Sequence, residues 1–311
     1  QPDGTVGGPN YTTCDAFLNV QDNDDLCTTA TAMGNVSGLF ITEGGIPVAG
    51  VEVTPRDDMM EDMMMTETDG LYDFDLHTEE AYQITPYSPT DYLNGVSTID
   101  IILISKHILG IQPLDSPYKM IAADINRSST VSTLDLILLR KAILGITTGF
   151  ANNSSWRYVD AAYIFPNPVN PWEEAFPEQI DISMLTHDLF GADFIAVKVG
   201  DVNGNAQANA TDEEEGRAPG ANYYLRTEER VFESGETIEA IFSAADLDDE
   251  VQGFQMTLQF DPALVEVSQI EWGLIQPEHV NESQLDRGLL TISWNADGDD
   301  FGLSQSEMTF F

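Results

Sequence analysis

The chain has 311 residues, which at about 100–200 residues per domain allows two or three domains, each with its own core. It carries 12 Lys and Arg residues against 53 Asp and Glu residues, a formal net charge of −41. Because phosphate binding needs a cationic surface, this charge argues against nucleic acid as a partner. It favours cations, above all Ca²⁺. No apolar run approaches the ~18–20 residues of a membrane span.

The first part of the chain holds both cysteines. Within residues 1–31, the segment from Thr13 to Gln21 alternates like a single strand, and Asp22-Asn-Asp-Asp25 then ends it. This predicts the last strand of an upstream β-domain followed by a linker. Cys14 and Cys27 either form one disulfide around a short loop, or Cys14 pairs with a residue further upstream. The chain stops at Phe311 within an apolar β-like run, so we expect a fragment of a longer protein.

Residues 32–88 alternate with period two between Gly and Asp turns, as in Val36-Ser-Gly-Leu-Phe-Ile41 and Thr68-Asp-Gly-Leu-Tyr-Asp-Phe-Asp75. This pattern predicts a small antiparallel β-sandwich. The order of these motifs resembles the carboxypeptidase-regulatory-like (transthyretin-like) domain. That resemblance implies a spacer.

The strongest sequence signal is an internal repeat. The segment from Val96 to Ile111 recurs 35 residues later from Val131 to Ile146, with eleven of sixteen positions identical and three more exchanging Ile for Leu. Each copy has a Ser-Thr start, an apolar stripe at helical spacing and a Gly just past its end. The repeat predicts two helices with the same start, the same apolar stripe and the same end.

The second copy follows an oxygen-rich loop of twelve residues. Side-chain oxygens stand at positions 1, 3, 5, 9 and 12, and position 7 offers its backbone carbonyl, as in an EF-hand-like loop that wraps Ca²⁺. The predicted calcium ligands are Asp124, Asn126, Ser128, Thr130, Ser132 and Asp135.

This duplicated loop and helix, with Asp at position 12 and a basic pair after it, resembles the type I dockerin over residues 89–150. The resemblance implies calcium-dependent folding. It also implies a surface on the two helices that docks onto a cohesin. The partner-binding residues that it implies are Thr98, Ile99, Lys106, Thr133, Leu134, Arg140 and Lys141.

Two features depart from the dockerin pattern. Ser129 stands at the sixth loop position, where the turn prefers Gly, and a positive φ there would cost on the order of 1 kcal/mol. The first loop has Pro89 and Leu93 at ligand positions, so that either it is inactive or it borrows ligands. The segment Asp201-Val-Asn-Gly-Asn205 could lend them, or it could be an Asx-rich turn. The residues predicted for this second, weaker calcium site are Asp91, Ser97, Asp100, Asp201 and Asn203.

The rest of the chain is loop-rich and then β-rich. Residues 150–205 are expected to pack as an extension on the helix pair, which gives a unit of 89–205, and residues 206–220 read as an acidic linker. From residue 221 the strand pattern returns. Val251-Gln-Gly-Phe-Gln-Met-Thr-Leu-Gln-Phe260 and the later Leu289-Leu-Thr-Ile-Ser-Trp294 are similar to the cohesin jelly roll, so 221–311 is interpreted as a partial cohesin-like sandwich.

The predicted fold is therefore multidomain and mainly β, with antiparallel β-sandwiches and a small calcium-binding all-α helix pair between them. Catalysis is not expected, because the four histidines are scattered and no GxSxG, HExxH or phosphate-binding loop is present.

The order of units resembles C-terminal regions of large surface proteins that Bacteroidota export, often by type IX secretion. It implies an extracellular structural role in adhesion or in a filament, with neighbouring copies as partners. One alternative is a scaffold fragment of a polysaccharide-degrading complex, and another is the non-catalytic tail of a secreted hydrolase. The structural role and the scaffold alternative differ in whether Thr98, Ile99, Thr133 and Leu134 are exposed. A covered helix face favours the structural role, and an open one favours docking of a separate cohesin.

Overall fold

In a computed structural model of the chain, the structure describes residues 32–56, 63–88, 92–208, 224–245 and 251–296. The chain divides into two compact units, Gln1–Ala32 and Met33–Phe311, and every described residue beyond Ala32 belongs to the second. Its secondary structure is mainly β, as predicted. Cys14, Cys27 and the strand predicted in 1–31 lie outside the described residues.

Nine strands and three helices occupy the described residues from 32 to 208. The strands are β1 (Met33–Thr42), β2 (Glu52–Arg56), β3 (Met64–Met65), β4 (Leu71–His77), β5 (Tyr82–Tyr87), β6 (Trp156–Asp160), β7 (Ile180–Ile182), β8 (Leu189–Phe190) and β9 (Phe194–Lys198). The helices are α1 (Thr98–Ile108), α2 (Pro117–Ala123) and α3 (Thr133–Ile143). The repeat thus predicted α1 and α3, and α2 between them was not predicted.

Two sheets enclose the first core. One has the order β4-β1-β9-β6, with β8 also paired to β1, and the other has the order β3-β2-β5-β7. Phe40 of β1 lies at the centre, fully buried, with its ring stacked on Phe194 at 4.9 Å and edge-on to Tyr158 at 5.4 Å. Alternation along β1 directs Phe40 inward, because successive side chains of a strand point to opposite faces.

Residues 150–205, which were predicted to form a loop-rich extension, contribute strands to both sheets. β6 to β9 all come from residues 156–198, and β1 pairs in parallel with both β8 and β9. The parallel pairing of β1 differs from the prediction, in which the sandwiches were antiparallel. The parallel pairing is possible because the long chain segment between β1 and β9 provides the crossover that parallel strands need. Gly38 permits the close approach, since a Cβ there would lie 2.0 Å from the backbone oxygen of Ala192.

The three helices form a second core together with the outer face of β9. Ser97 and Ser132 cap α1 and α3, and Gly110 and Gly145 follow their last turns with φ of +72° and +70°, as the repeat predicted. The buried side chains of this core come from all three helices and from β6 and β9; they include Ile101, Ile104, Ile121, Leu139, Val159 and Val197.

The described C-terminal residues form a third core. Their strands are β10 (Tyr224–Arg226), β11 (Ser243–Ala245), β12 (Gly253–Gln259), β13 (Val280–Asn281) and β14 (Leu289–Asn295). β12, β14 and β13 lie side by side in that order, and β10 pairs with β11. Ile292 and Trp294 of β14 pack with Ile275 in the buried centre.

None of the helices in the described part of the chain is long and apolar enough to cross a membrane.

We expect Phe40→Ala to lower the free energy of unfolding by about 3–5 kcal/mol, because it removes a buried ring and leaves a cavity between the two sheets. Urea denaturation followed by circular dichroism would measure the change. Leu71→Ala on neighbouring β4 is the control, since Leu71 is 52% exposed and should change stability by less than about 0.5 kcal/mol. Equal effects of the two substitutions would contradict the assigned core.

Candidate metal centres and the helix face

The loop between α2 and α3 is closed by Asp135, which is fully buried in the first turn of α3. Its Oδ1 accepts the backbone N–H groups of Ile125 at 3.0 Å and Asn126 at 3.3 Å, and its Oδ2 accepts that of Ser132 at 2.9 Å. One carboxylate therefore joins the helix start to the opposite end of the loop. The partial positive charge of the helix N-terminus favours this carboxylate.

Asp124 closes the same loop from its other end. Its two carboxylate oxygens accept the N–H groups of Ser128 and Ser129, each at 2.8 Å. Ser129 has φ of +63°, so the sixth position takes the left-handed conformation that is costly for a residue other than Gly. Asp124 is fully buried, and this burial is the main cause that raises the pKa of its carboxyl group, while the two hydrogen bonds oppose it.

Two of the remaining predicted ligands bond to the carboxylates: the hydroxyl of Ser128 donates to Oδ1 of Asp124 at 3.4 Å, and that of Ser132 donates to Oδ2 of Asp135 at 3.0 Å. The Oδ1 of Asn126 accepts the N–H of Ser128 at 3.0 Å, and the hydroxyl oxygens of Ser128 and Thr130 are 3.0 Å apart. Ser128 and Thr130 are exposed. The donor set is made of oxygen atoms, which fits a hard cation such as Ca²⁺. It holds two carboxylates, and no group of three or more His, Cys, Asp or Glu side chains suited to a metal occurs among the described residues.

The loop is anchored to the β-sheet by residues that the sequence did not single out. The side-chain amide of Asn153 donates to the backbone oxygen of Asp124 at 2.9 Å. Glu178 pairs with Arg127 of the loop and also with buried Arg157 of β6, at 2.8 and 3.0 Å. These contacts hold the loop in place from outside, so its shape does not depend on its own residues alone.

The structure brings together four of the five residues predicted for the second calcium site. Asp100 in the first turn of α1 accepts the N–H of Ser97 on Oδ2 at 2.9 Å, and the N–H groups of Val202 and Asn203 on Oδ1 at 2.9 and 3.4 Å. The segment after β9 therefore meets α1, next to Asp201. The fifth predicted residue, Asp91, lies outside the described residues.

The predicted docking face of the helices is partly covered by β12 and β14. Thr98 is 4% exposed; its N–H donates to Oε1 of Gln255 at 3.0 Å, and its hydroxyl lies 2.9 Å from that of Ser293. Ile102 is 6% exposed, and a Cβ on Gly253 would come within 2.9 Å of its Cδ1. The strand backbone thus lies directly on the helix.

Polar contacts extend along the same interface. Lys106 donates to the side-chain oxygen of Gln252 at 3.0 Å, and Arg140 donates to that of Asn295. The amide of Asn281 donates to the backbone oxygen of Leu144 at 2.8 Å. The sheet residues in these contacts were missed, because isolated Gln, Ser and Asn residues on strands carry no sequence signal for a partner.

The other predicted face residues are open to solvent. Ile99 and Leu134 are 45% and 49% exposed, and Thr133 and Lys141 are exposed. The repeat makes Thr133 the counterpart of Thr98 and Ile137 that of Ile102. Ile137 is 48% exposed. The sheet therefore covers the first turns of α1 and the end of α3, and leaves the first turns of α3 open.

Comparisons with protein-family models, with curated proteins and with solved structures give no match for this chain. The resemblances to dockerin, cohesin and carboxypeptidase-regulatory-like domains therefore stay predictions that rest on the residues.

We expect Asp124→Ala and Asp135→Ala each to remove one calcium-binding event in calorimetry. Each should also remove the stability that calcium adds through this loop, about 2.7 kcal/mol in the free energy of unfolding when calcium stands at 100 times its Kd. The rise in melting temperature on adding calcium should shrink accordingly. Asp115→Ala is the control, because it removes an exposed carboxylate that pairs with Lys119. Wild-type melting that is identical with calcium and with a chelator would contradict the calcium loop.

Proposed function

We propose that this chain is a non-catalytic, calcium-stabilised structural segment of a large secreted bacterial cell-surface protein. The observation that carries the proposal is the interface in which β12 and β14 cover the first turns of α1. A helix face that the same chain occupies is not free to recruit another protein. The segment would act in adhesion or as part of an extracellular filament built of neighbouring copies.

The physical basis of this role is the way in which the helices join two β-rich parts of the chain. The helix core is continuous with β6 and β9 through Val159 and Val197, and the opposite side of the helices contacts β12 and β14 through Thr98 and Ile102. Calcium in the loop of Asp124 would stiffen this junction, because ions that bind only the folded state raise its stability. Such a junction suits a chain that carries mechanical load.

One observation supports the scaffold alternative, in which the helices recruit a separate cohesin. The first turns of α3 expose Thr133, Leu134 and Ile137, so half of the repeated face is open. This half is the surface on which a second protein would dock. The structural role is favoured because Thr98 and Ile102, the counterparts of Thr133 and Ile137 on α1, are already covered, whereas Ile99 of α1 is exposed like Leu134.

The repeat supplies a matched pair of substitutions for testing the covered face. We expect Ile102→Glu to loosen the β12–β14 sheet, because a carboxylate at this buried position would lose its hydration opposite Gly253. Hydrogen–deuterium exchange of β12 and β14 peptides should rise at least tenfold, with a lower melting temperature. Ile137→Glu, at the exposed counterpart, should leave both unchanged. Equal exchange in the two variants would contradict the covered face.

We also expect no glycosidase or peptidase turnover above background from the purified chain. Reproducible turnover that a single carboxylate substitution abolishes would overturn the non-catalytic role. A scan with chromogenic glycosides and a quenched peptide library would measure it.

A further inference from the structure

We propose that the cavity between α2, the turn after β1 and the segment after β9 binds an organic cation with an apolar stem, the chemistry of an alkylammonium ion or a lysine side chain. The cavity has a volume of about 340 Å³, at the lower end of the range for small-molecule sites. Its lining runs from Thr42 to Ala206 in the sequence. The inference does not depend on the cell-surface role or on calcium in the Asp124 loop.

The walls of the cavity are fixed to the rest of the fold. The turn after β1 is closed by Thr42, whose N–H donates to the backbone oxygen of Ile46 at 2.8 Å and whose hydroxyl oxygen accepts the N–H of Ile46 at 3.2 Å. Helix α2 is joined to the segment after β9, because the N–H of Gly200 donates to the backbone oxygen of Ala122 at 2.9 Å. The space between these elements is therefore part of the folded structure.

The floor of the cavity is apolar. Ala122 of α2, Trp156 of β6 and Val197 of β9 line it and are each at most 4% exposed. Tyr118 also lines it, and its ring is held edge-on against Phe165 with 5.5 Å between the ring centroids. A hydrocarbon stem that enters this space is removed from water, which is favourable. A hydrated inorganic ion would gain nothing from such a floor.

Four charged side chains line the cavity, and three of them already have partners. Lys119 pairs with Asp115 at 2.7 Å, and Lys198 donates to a backbone oxygen at 2.8 Å. Asp201 accepts backbone N–H groups on both carboxylate oxygens. The fourth, Glu43, is exposed, and its carboxylate forms no hydrogen bond or ion pair with the described residues. The charge that the lining leaves available is therefore negative.

This distribution favours a cationic ligand. Glu43 and Asn203 are exposed, so they lie at the mouth, above the buried floor. An ammonium group at the mouth would form charge-assisted hydrogen bonds with Glu43, and the aromatic ring of Tyr118 attracts a cation over its face. The net charge of −41 also raises the concentration of cations around the protein. A ligand with an ammonium head and a hydrocarbon stem would match both ends of the cavity.

Titration of the full chain with n-pentylammonium chloride, followed in backbone-amide NMR spectra, tests the site. Potassium chloride at about 150 mM screens the attraction between distant surface charges. We expect shifts confined to the cavity, at Gly44, Lys119 and Gly204, with a Kd on the order of millimolar. Glu43→Gln should raise this Kd at least about fivefold, because the ammonium group loses its charged partner. Glu67→Gln is the matched control, since Glu67 is also exposed and does not line the cavity.

Three further probes separate the stem from the charge. Pentanol keeps the stem without the charge, and ethylammonium keeps the charge with a shorter stem, so each should bind at least about fivefold more weakly than n-pentylammonium. Nα-acetyl-lysine amide identifies the source of the ligand. If it binds as tightly as n-pentylammonium, the cavity accepts the lysine side chain of a partner, and if it does not bind, the ligand is a free amine.

The contrary results are equally specific. Equal Kd values for the wild type and Glu43→Gln, or equal binding of ethylammonium and n-pentylammonium, would mean that the acidic surface attracts any cation and would overturn the site. The absence of shifts at the cavity would overturn it too. None of these outcomes affects the calcium loop or the structural role, because neither involves Glu43.

Discussion

The structure depends on one repeated interaction, in which a buried Asp in the first turn of a helix holds a loop that arrives from elsewhere. Asp100 and Asp135 each accept the N–H of the capping Ser on one oxygen and incoming backbone N–H groups on the other. The helix N-terminus favours this carboxylate. A second buried Asp lies beside each of them, so the same arrangement creates like-charge repulsion that a cation would offset.

The first turn of α1 serves two purposes at once. Through Asp100 it receives the segment after β9, and through Thr98 and Ile102 it contacts Gln255, Ser293 and the backbone of β12. The two sides use neighbouring backbone groups of the same turn, because the N–H of Ser97 donates to Asp100 and the N–H of Thr98 donates to Gln255. The equivalent turn of α3 has its own loop, and within the part of the chain that the structure describes its residues Leu134 and Ile137 are exposed. The two copies of the repeat therefore make different contacts.

Much of this architecture can be predicted from local sequence. The repeat predicted α1, α3, their Ser caps and their Gly ends, and the spacing of Asp201 to Asn205 identified a segment that could complete the first loop at Asp100. The parallel pairing of β1 with β9 could not be predicted, because no local pattern specifies which distant strand is a neighbour. Helix α2 was missed because seven residues give too little periodicity. The contacts of Gln255 and Ser293 with Thr98 depend on tertiary packing alone.

The central claim is that the loop between Asp124 and Asp135 binds calcium. A crystal structure of the chain, from crystals grown in millimolar calcium and with anomalous scattering to identify the metal, tests this claim most directly. We predict a calcium peak at about 2.3–2.6 Å from carboxylate oxygens of Asp124 and Asp135, coordinated further by the Asn126 and Ser128 side chains. Water alone at that position, with the backbone N–H groups still bonded to both carboxylates, would contradict the account.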